Sequence, residues 1–105
     1  MKAIIAGKRY DTEATGTKAV ASYSYGSPSD FHHVRETLYL TGKGAWFTAG
    51  CGGPLSSYAE RVGQNETSGG SAIRPMSADE ARAWLERHDE TEALETYFGG
   101  EVTNA

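Results

Sequence analysis

Residues 36 to 49 constrain what this chain can fold into more than any other stretch. Glu36-Thr37-Leu38-Tyr39-Leu40-Thr41 and Ala45-Trp46-Phe47-Thr48-Ala49 flank Gly42-Lys43-Gly44. Both runs alternate side chains between two faces, as a pleated hairpin requires. Leu38 and Leu40 share one face and Tyr39 takes the other; Trp46 opposes the face that carries Ala45, Phe47 and Ala49. Aromatic rings on both faces imply that both faces are covered, so the hairpin belongs in a sheet with partners on two sides.

One partner is legible further on. Ser77-Ala78-Asp79-Glu80 places a serine three positions before a glutamate, the pattern of a capping box at a helix start. Ala81, Trp84, Leu85 and His88 follow at i, i+3, i+4 and i+7, one stripe facing the sheet. A second helical stretch over 90 to 98 repeats the pattern with Ala93, Leu94, Tyr97 and Phe98, and Gly99-Gly100 predicts a left-handed stop. Residues 100 to 105 read as a loose tail.

Upstream, residues 2 to 6 and 9 to 12 read as two short strands around Gly7-Lys8. Ala19, Val20 and Tyr23 fall at helical spacing and predict a short helix over 14 to 23, which Gly16 weakens by about 1 kcal/mol. Residues 24 to 33 read as an exposed connection and 50 to 54, GCGGP, as a loop. Residues 55 to 62 read as one or two helical turns capped by Ser56 or Ser57. The run 63 to 71 reads as a mobile tip that includes an Asn65-Glu66-Thr67 sequon, and residues 72 to 76 as a last strand ending at proline. No repeat or heptad series is present. The resulting plan is an α+β fold in a single domain, 1 to 105: a small antiparallel sheet built from hairpins and covered by two C-terminal helices, with one short N-terminal helix.

Composition limits the core. Leu, Ile, Val and Phe together number 15 of 105 residues, below the roughly 20 percent that accompanies disorder, but the net charge is only -4, and six Tyr and two Trp add buriable area. A folded domain with a thin core is expected, as a monomer or a homodimer. The single Cys51 excludes an intramolecular disulfide, and no apolar run approaches a membrane span, which points to a cytoplasmic chain.

Catalytic and cofactor chemistry find little support. Cys51 with His32, His33 or His88 could in principle form a thiolate–base pair, but the spacing supports nothing specific. Adjacent His32 and His33 do not converge as metal ligands, and neither glycine-rich loop carries a phosphate-binding signature. Tyr23, Tyr25, Phe31, Tyr39, Trp46 and Tyr58 could stack bases, yet a sequence pI near 5.3 opposes direct nucleic-acid binding. The expectation is a protein without enzymatic activity, metal or cofactor.

Charge is distributed unevenly. Residues 1 to 76 carry eight basic and six acidic groups, a balance of +2, whereas residues 77 to 105 carry eight acidic groups against Arg82 and Arg87, a balance of -6. With the apolar stripe inward, Asp79, Glu86 and Glu90 project outward, and Glu92 and Glu95 project from the next helix. These five carboxylates are the candidate partner-binding residues; the competing reading is a solvated face that serves solubility.

Four strings, Gly7-Lys8-Arg9-Tyr10-Asp11-Thr12, Glu36-Thr37-Leu38-Tyr39 with Lys43-Gly44, Gly52-Gly53-Pro54-Leu55-Ser56-Ser57-Tyr58-Ala59 and Pro75-Met76-Ser77-Ala78-Asp79-Glu80-Ala81, resemble a family of small, mostly uncharacterised phage and mobile-element proteins. Some of its members are similar to anti-CRISPR inhibitors of type I effector complexes, type I-C among them. The resemblance spans most of the chain and rests on turns, hairpins and a capped helix. It implies a cytoplasmic inhibitor, acting in a bacterial host as a coarse DNA mimic, whose acidic surface engages a DNA-binding subunit of the effector and blocks target binding. The alternative is a small interaction or regulatory domain of a mobile element that binds an unrelated basic host protein.

Overall fold

A computed structural model describes residues 1 to 64 and 66 to 105. Asn65, which falls in the expected mobile tip and the sequon, lies outside the described residues. The fold is α+β, with antiparallel sheets and two C-terminal helices. Its main sheet has four strands in the order β3 (Lys18–Tyr25), β4 (Val34–Leu40), β5 (Trp46–Gly52) and β8 (Gly70–Met76). A separate hairpin joins β1 (Lys2–Ile5) to β2 (Lys8–Asp11), and a two-residue ladder joins β6 (Glu60–Arg61) to β7 (Thr67–Ser68). Helices α1 (Ala78–Arg87) and α2 (Thr91–Phe98) follow.

The β4–β5 register sets Leu38 opposite Thr48, Tyr39 opposite Phe47 and Leu40 opposite Trp46. Two apolar layers result. Leu38 and Trp46 meet Ala81, Trp84, Leu85 and Phe98 beneath the helices, where Trp46 stacks on Phe98 with ring centroids 5.3 Å apart. On the opposite face Phe47 stacks on Tyr39 at 5.2 Å and meets the edge of Tyr10 from the β1–β2 hairpin at 5.5 Å. The aromatics on both faces of the hairpin are thus accounted for by two different covers, and the molecule is flat, 47 × 35 × 20 Å.

The capping box forms as its sequence demands: the Glu80 N–H donates to Ser77 Oγ at 3.1 Å, and the Ser77 N–H donates to Glu80 Oε1 at 2.9 Å. Ala81, Trp84 and Leu85 are buried, as the stripe requires. Between the helices Asp89 takes a positive φ of 55°, the strained residue of a tight reversal.

Several expectations fail for identifiable reasons. The helix expected over 14 to 23 is absent, and strand β3 occupies its second half. A register shift between Ala19 and Ala21 inserts one residue into the ladder, and this bulge puts the alternation out of phase, so that Ala19, Val20 and Tyr23 imitate helical spacing. GCGGP is not all loop: β5 continues to Gly52, paired with β4 on one side and β8 on the other, and glycine stands there because neighbouring atoms come too close for a side chain. A Cβ built on Gly50 would lie 2.6 Å from both the Arg35 carbonyl oxygen and the Tyr58 hydroxyl. Residues 55 to 62 form no helix; the Tyr58 N–H donates to Ser56 Oγ at 3.1 Å, and that serine's hydroxyl closes a turn instead of capping a helix. The tip expected over 63 to 71 contributes β7 and the start of β8. Gly99 keeps right-handed geometry (φ -55°), and the chain continues through a 3₁₀ turn, Gly99–Glu101, leaving only residues 102 to 105 without an element.

Replacing Leu38, which is fully buried under the helices, by Ala should lower the unfolding free energy by about 2–5 kcal/mol in urea titrations with the m-value unchanged. Ile4→Ala, at a side chain that is 70 % exposed, should stay within about 0.5 kcal/mol.

Candidate functional site

The five acidic candidates all sit on or between the two helices. Asp79, Glu86, Glu92 and Glu95 are exposed, and Glu90, the residue before α2, is half-buried. At about 100° per residue, Asp79 and Glu86 point within roughly 20° of each other on α1 and lie about 10 Å apart along its axis. Glu92 and Glu95 are one turn apart on α2. Among the described residues none of the five makes an ion pair with a lysine or arginine. Arg82, one of only two basic residues in this region, is engaged by Glu101 at 3.0 Å, and Glu80 is occupied by the helix cap. Among the described residues no three acidic, histidine or cysteine side chains converge tightly enough to hold a cation. The carboxylates form a dispersed negative field carried on two rigidly seated helices.

What seats α1 is a residue the sequence reading did not single out. Glu36 occupies the same face of β4 as Leu38 and Leu40, so its carboxylate is directed under the helices instead of into water. The Tyr58 hydroxyl donates to Glu36 Oε2 at 2.5 Å, and the Trp84 indole N–H donates to Glu36 Oε1 at 2.8 Å. One carboxylate therefore ties the sheet to the 53–59 segment and to α1. Charge-assisted bonds of this kind are shorter and stronger than neutral ones. Burial, and then the adjacent Glu36 carboxylate, pushes the Tyr58 phenol well above its ordinary range, so it remains a donor. Arg74 lies over the Tyr58 ring, 4.0 Å from its centroid, and donates to the Ser57 carbonyl, locking the segment from its other side. An inward acidic residue in an otherwise apolar alternation was the available signal.

His88 completes the cluster. Its ring stacks on Tyr23 at 4.1 Å, meets the edge of Trp84 at 4.4 Å, and holds Nε2 3.9 Å from Glu36 Oε1. That distance is beyond a hydrogen bond, and both His88 Nε2 and Thr48 Oγ1 are buried without a hydrogen-bond partner among the described residues. Burial, then the neighbouring Arg87, lowers the His88 pKa below its ordinary 6.5, against an opposing pull from Glu36.

The remaining candidates are scattered. Cys51 is exposed on the face of the sheet opposite the helices, paired across the ladder with Arg35, whereas His88 lies under the helices. His33 Nδ1 sits 2.7 Å from the Asp30 carbonyl, and His32 is exposed in the same turn. Among the described residues no hydrogen bond joins Cys51 to a histidine. Of the six aromatics considered for base stacking, Trp46 and Tyr58 are buried, Tyr23 covers His88, Tyr39 covers Phe47, and only Tyr25 and Phe31 are largely exposed. On the sheet face away from the helices, Ser22, Arg35, Thr37, Tyr39 and Cys51 line a shallow cleft of about 550 Å³. No family model, no curated protein and no solved structure matches the chain.

Tyr58→Phe leaves Glu36 Oε2 without its donor and should cost about 1–3 kcal/mol in chemical denaturation. For His88 the folded-state pKa is depressed, so its contribution to stability is fully present above the ordinary value of 6.5 and is lost as pH falls below it. Urea midpoints should fall between pH 8 and pH 5, and His88→Gln should flatten that part of the profile.

Proposed function

We propose that this chain is a non-enzymatic binding protein that docks its acidic helical end onto a positively charged macromolecular surface. The observation that carries this reading is the state of these carboxylates: Asp79, Glu86, Glu92 and Glu95 exposed on helices packed on the sheet and Glu90 half-buried at the start of α2, none of them ion-paired with a lysine or arginine among the described residues. A face kept acidic only for solubility has no need of rigid seating, and here the cap at Ser77 and the Glu36–Trp84 bond fix the orientation of α1. A fixed array loses little entropy on binding, and unneutralised carboxylates steer the encounter toward Lys and Arg.

The sequence resemblance narrows the partner to a DNA-binding subunit of a CRISPR effector complex, inside the bacterial cytoplasm. Such complexes hold DNA in basic channels and read a short flanking motif with positive side chains, so an acidic plug at that place would exclude the target. Imitation of DNA is coarse. Carboxylates separated by a helical turn or more are sparser than duplex phosphates, at about one per 1.7 Å of axis, so steric occlusion carries much of the block.

The test is binding to a purified type I-C effector complex, with and without target DNA, by wild type and by D79N/E86Q/E90Q/E92Q/E95Q. Five ion pairs at roughly 0.2–1 kcal/mol each come to roughly 1–5 kcal/mol, so the neutralised variant should bind about five- to several-thousandfold more weakly. Wild-type binding should weaken as salt rises and should compete with DNA. Equal binding by the two proteins contradicts docking through this face. Binding to a basic host protein in place of the effector, still lost on neutralisation, would keep the surface and replace the partner.

A further inference from the structure

The main sheet ends in two unpaired edges, and they are not equivalent. The outer edge of β8 contains Pro75, which lacks an N–H, and residues 57 and 58 lie against its Gly70 and Arg74. The outer edge of β3 is protected only at its start, by Lys18 and by the bulge between Ala19 and Ala21. From Ala21 to Tyr25 the ladder to β4 is regular, and this stretch holds no charge, no proline and no bulge. Tyr25, at its end, is 55 % exposed.

We infer that this edge pairs with its own copy, so that two chains join β3 to β3 in antiparallel fashion and form one continuous eight-stranded sheet. The choice of a second copy rests on self-complementarity. Outward N–H and C=O groups alternate along an edge, so a symmetric antiparallel pair matches odd residues with odd and even with even. The one such register that uses all five regular residues, and leaves the bulge outside, sets Tyr23 against its copy, Ala21 against Tyr25 and Ser22 against Ser24. Cross-strand partners share a face. Ala21, Tyr23 and Tyr25 follow Leu38, Glu36 and Val34 on the helix side, where the small Ala21 leaves room for the exposed Tyr25 ring of the other chain. Ser22 and Ser24 pair hydroxyl to hydroxyl on the opposite side.

Two features set the strength. A five-residue strand addition buries far less than the roughly 800 Å² per partner of a standard interface, so the dimer is weak and concentration-dependent. Tyr23 lies at the two-fold axis and stacks on His88, whose charged neighbours are of both signs, Arg87 as well as Asp89 and Glu90. Self-association through backbone pairing therefore depends little on salt, unlike docking through the acidic helices onto a cationic partner, so the two ideas fail independently.

The test uses the full chain. Sedimentation equilibrium over a concentration series should show a mass rising from monomer toward dimer at low and high salt alike, and S22K/S24K, which opposes lysines across the new ladder, should weaken association roughly tenfold. In a Cys51→Ser background, mild oxidation of a mixture of Ser22→Cys and Ser24→Cys chains should give a disulfide-linked dimer far in excess of either variant alone, since only that pairing sets the two thiols directly opposite. A monomeric mass at every concentration, or cross-linking no greater in the mixture than in the single variants, overturns the proposal.

Discussion

A single half-buried carboxylate, Glu36, organises this molecule. Large aliphatic residues are few, and the apolar layer beneath the helices is one residue deep: Leu38 and Trp46 from the sheet against Ala81, Trp84, Leu85 and Phe98. Such a layer supplies cohesion but little directional information, because apolar contact is non-directional. Glu36 supplies the direction. By accepting from Trp84 on α1 and from Tyr58 on the 53–59 segment, it specifies where on the sheet each of these elements must sit. The desolvation of a charge is tolerated because two well-aligned donors replace water.

The same node explains the glycines. Tyr58 reaches Glu36 only by passing over β5 and β8, and a Cβ on Gly50 would meet its hydroxyl, while a Cβ on Gly70 would run into its backbone carbonyl. Part of what reads along the chain as flexible loop, residues 50 to 52 and 70 to 71, is strand whose surface has been cleared for Tyr58, 8 residues from Gly50 and 12 from Gly70. Here lies the boundary of what the sequence discloses. Local patterns were legible: the alternation of 36 to 49, the Ser77–Glu80 box, the stripe on α1. Features whose cause lies elsewhere in the fold were not. The β3 bulge disguised a strand as a helical fragment, and glycine demanded by a distant tyrosine looked like glycine demanded by a turn. Asp79, Glu86, Glu92 and Glu95 were legible as helix-borne and outward because that needs only the 3.6-residue period, whereas Glu90 was not: α1 ends at Arg87, and Glu90 sits half-buried before α2. The polar cluster of Glu36, Tyr58, Trp84 and His88 spans residues far apart in the chain, and only the inward position of Glu36 in its strand hinted at it.

Function, in this account, follows from the combination of a firm scaffold and an uncompensated charge pattern. The basic residues of the first 76 positions lie on the strands and turns, while the carboxylates gather on the helices. Arg82, which could have neutralised part of that surface, is drawn to Glu101. The result is a net negative helical layer on a sheet whose β3 edge is unpaired among the described residues. The two proposed contacts differ in kind: long-range and salt-weakened at the helices, short-range and backbone-mediated at β3.

The claim beneath all of this is that Glu36 pins α1 to the sheet through Trp84. Hydrogen exchange of the Trp84 indole N–H, followed by NMR, tests it most directly. If the bond to Glu36 holds, that proton exchanges only on global unfolding, and it becomes labile in a Glu36→Ala chain that is still folded. An indole proton that exchanges in wild type as freely as one in an exposed tryptophan would contradict the account.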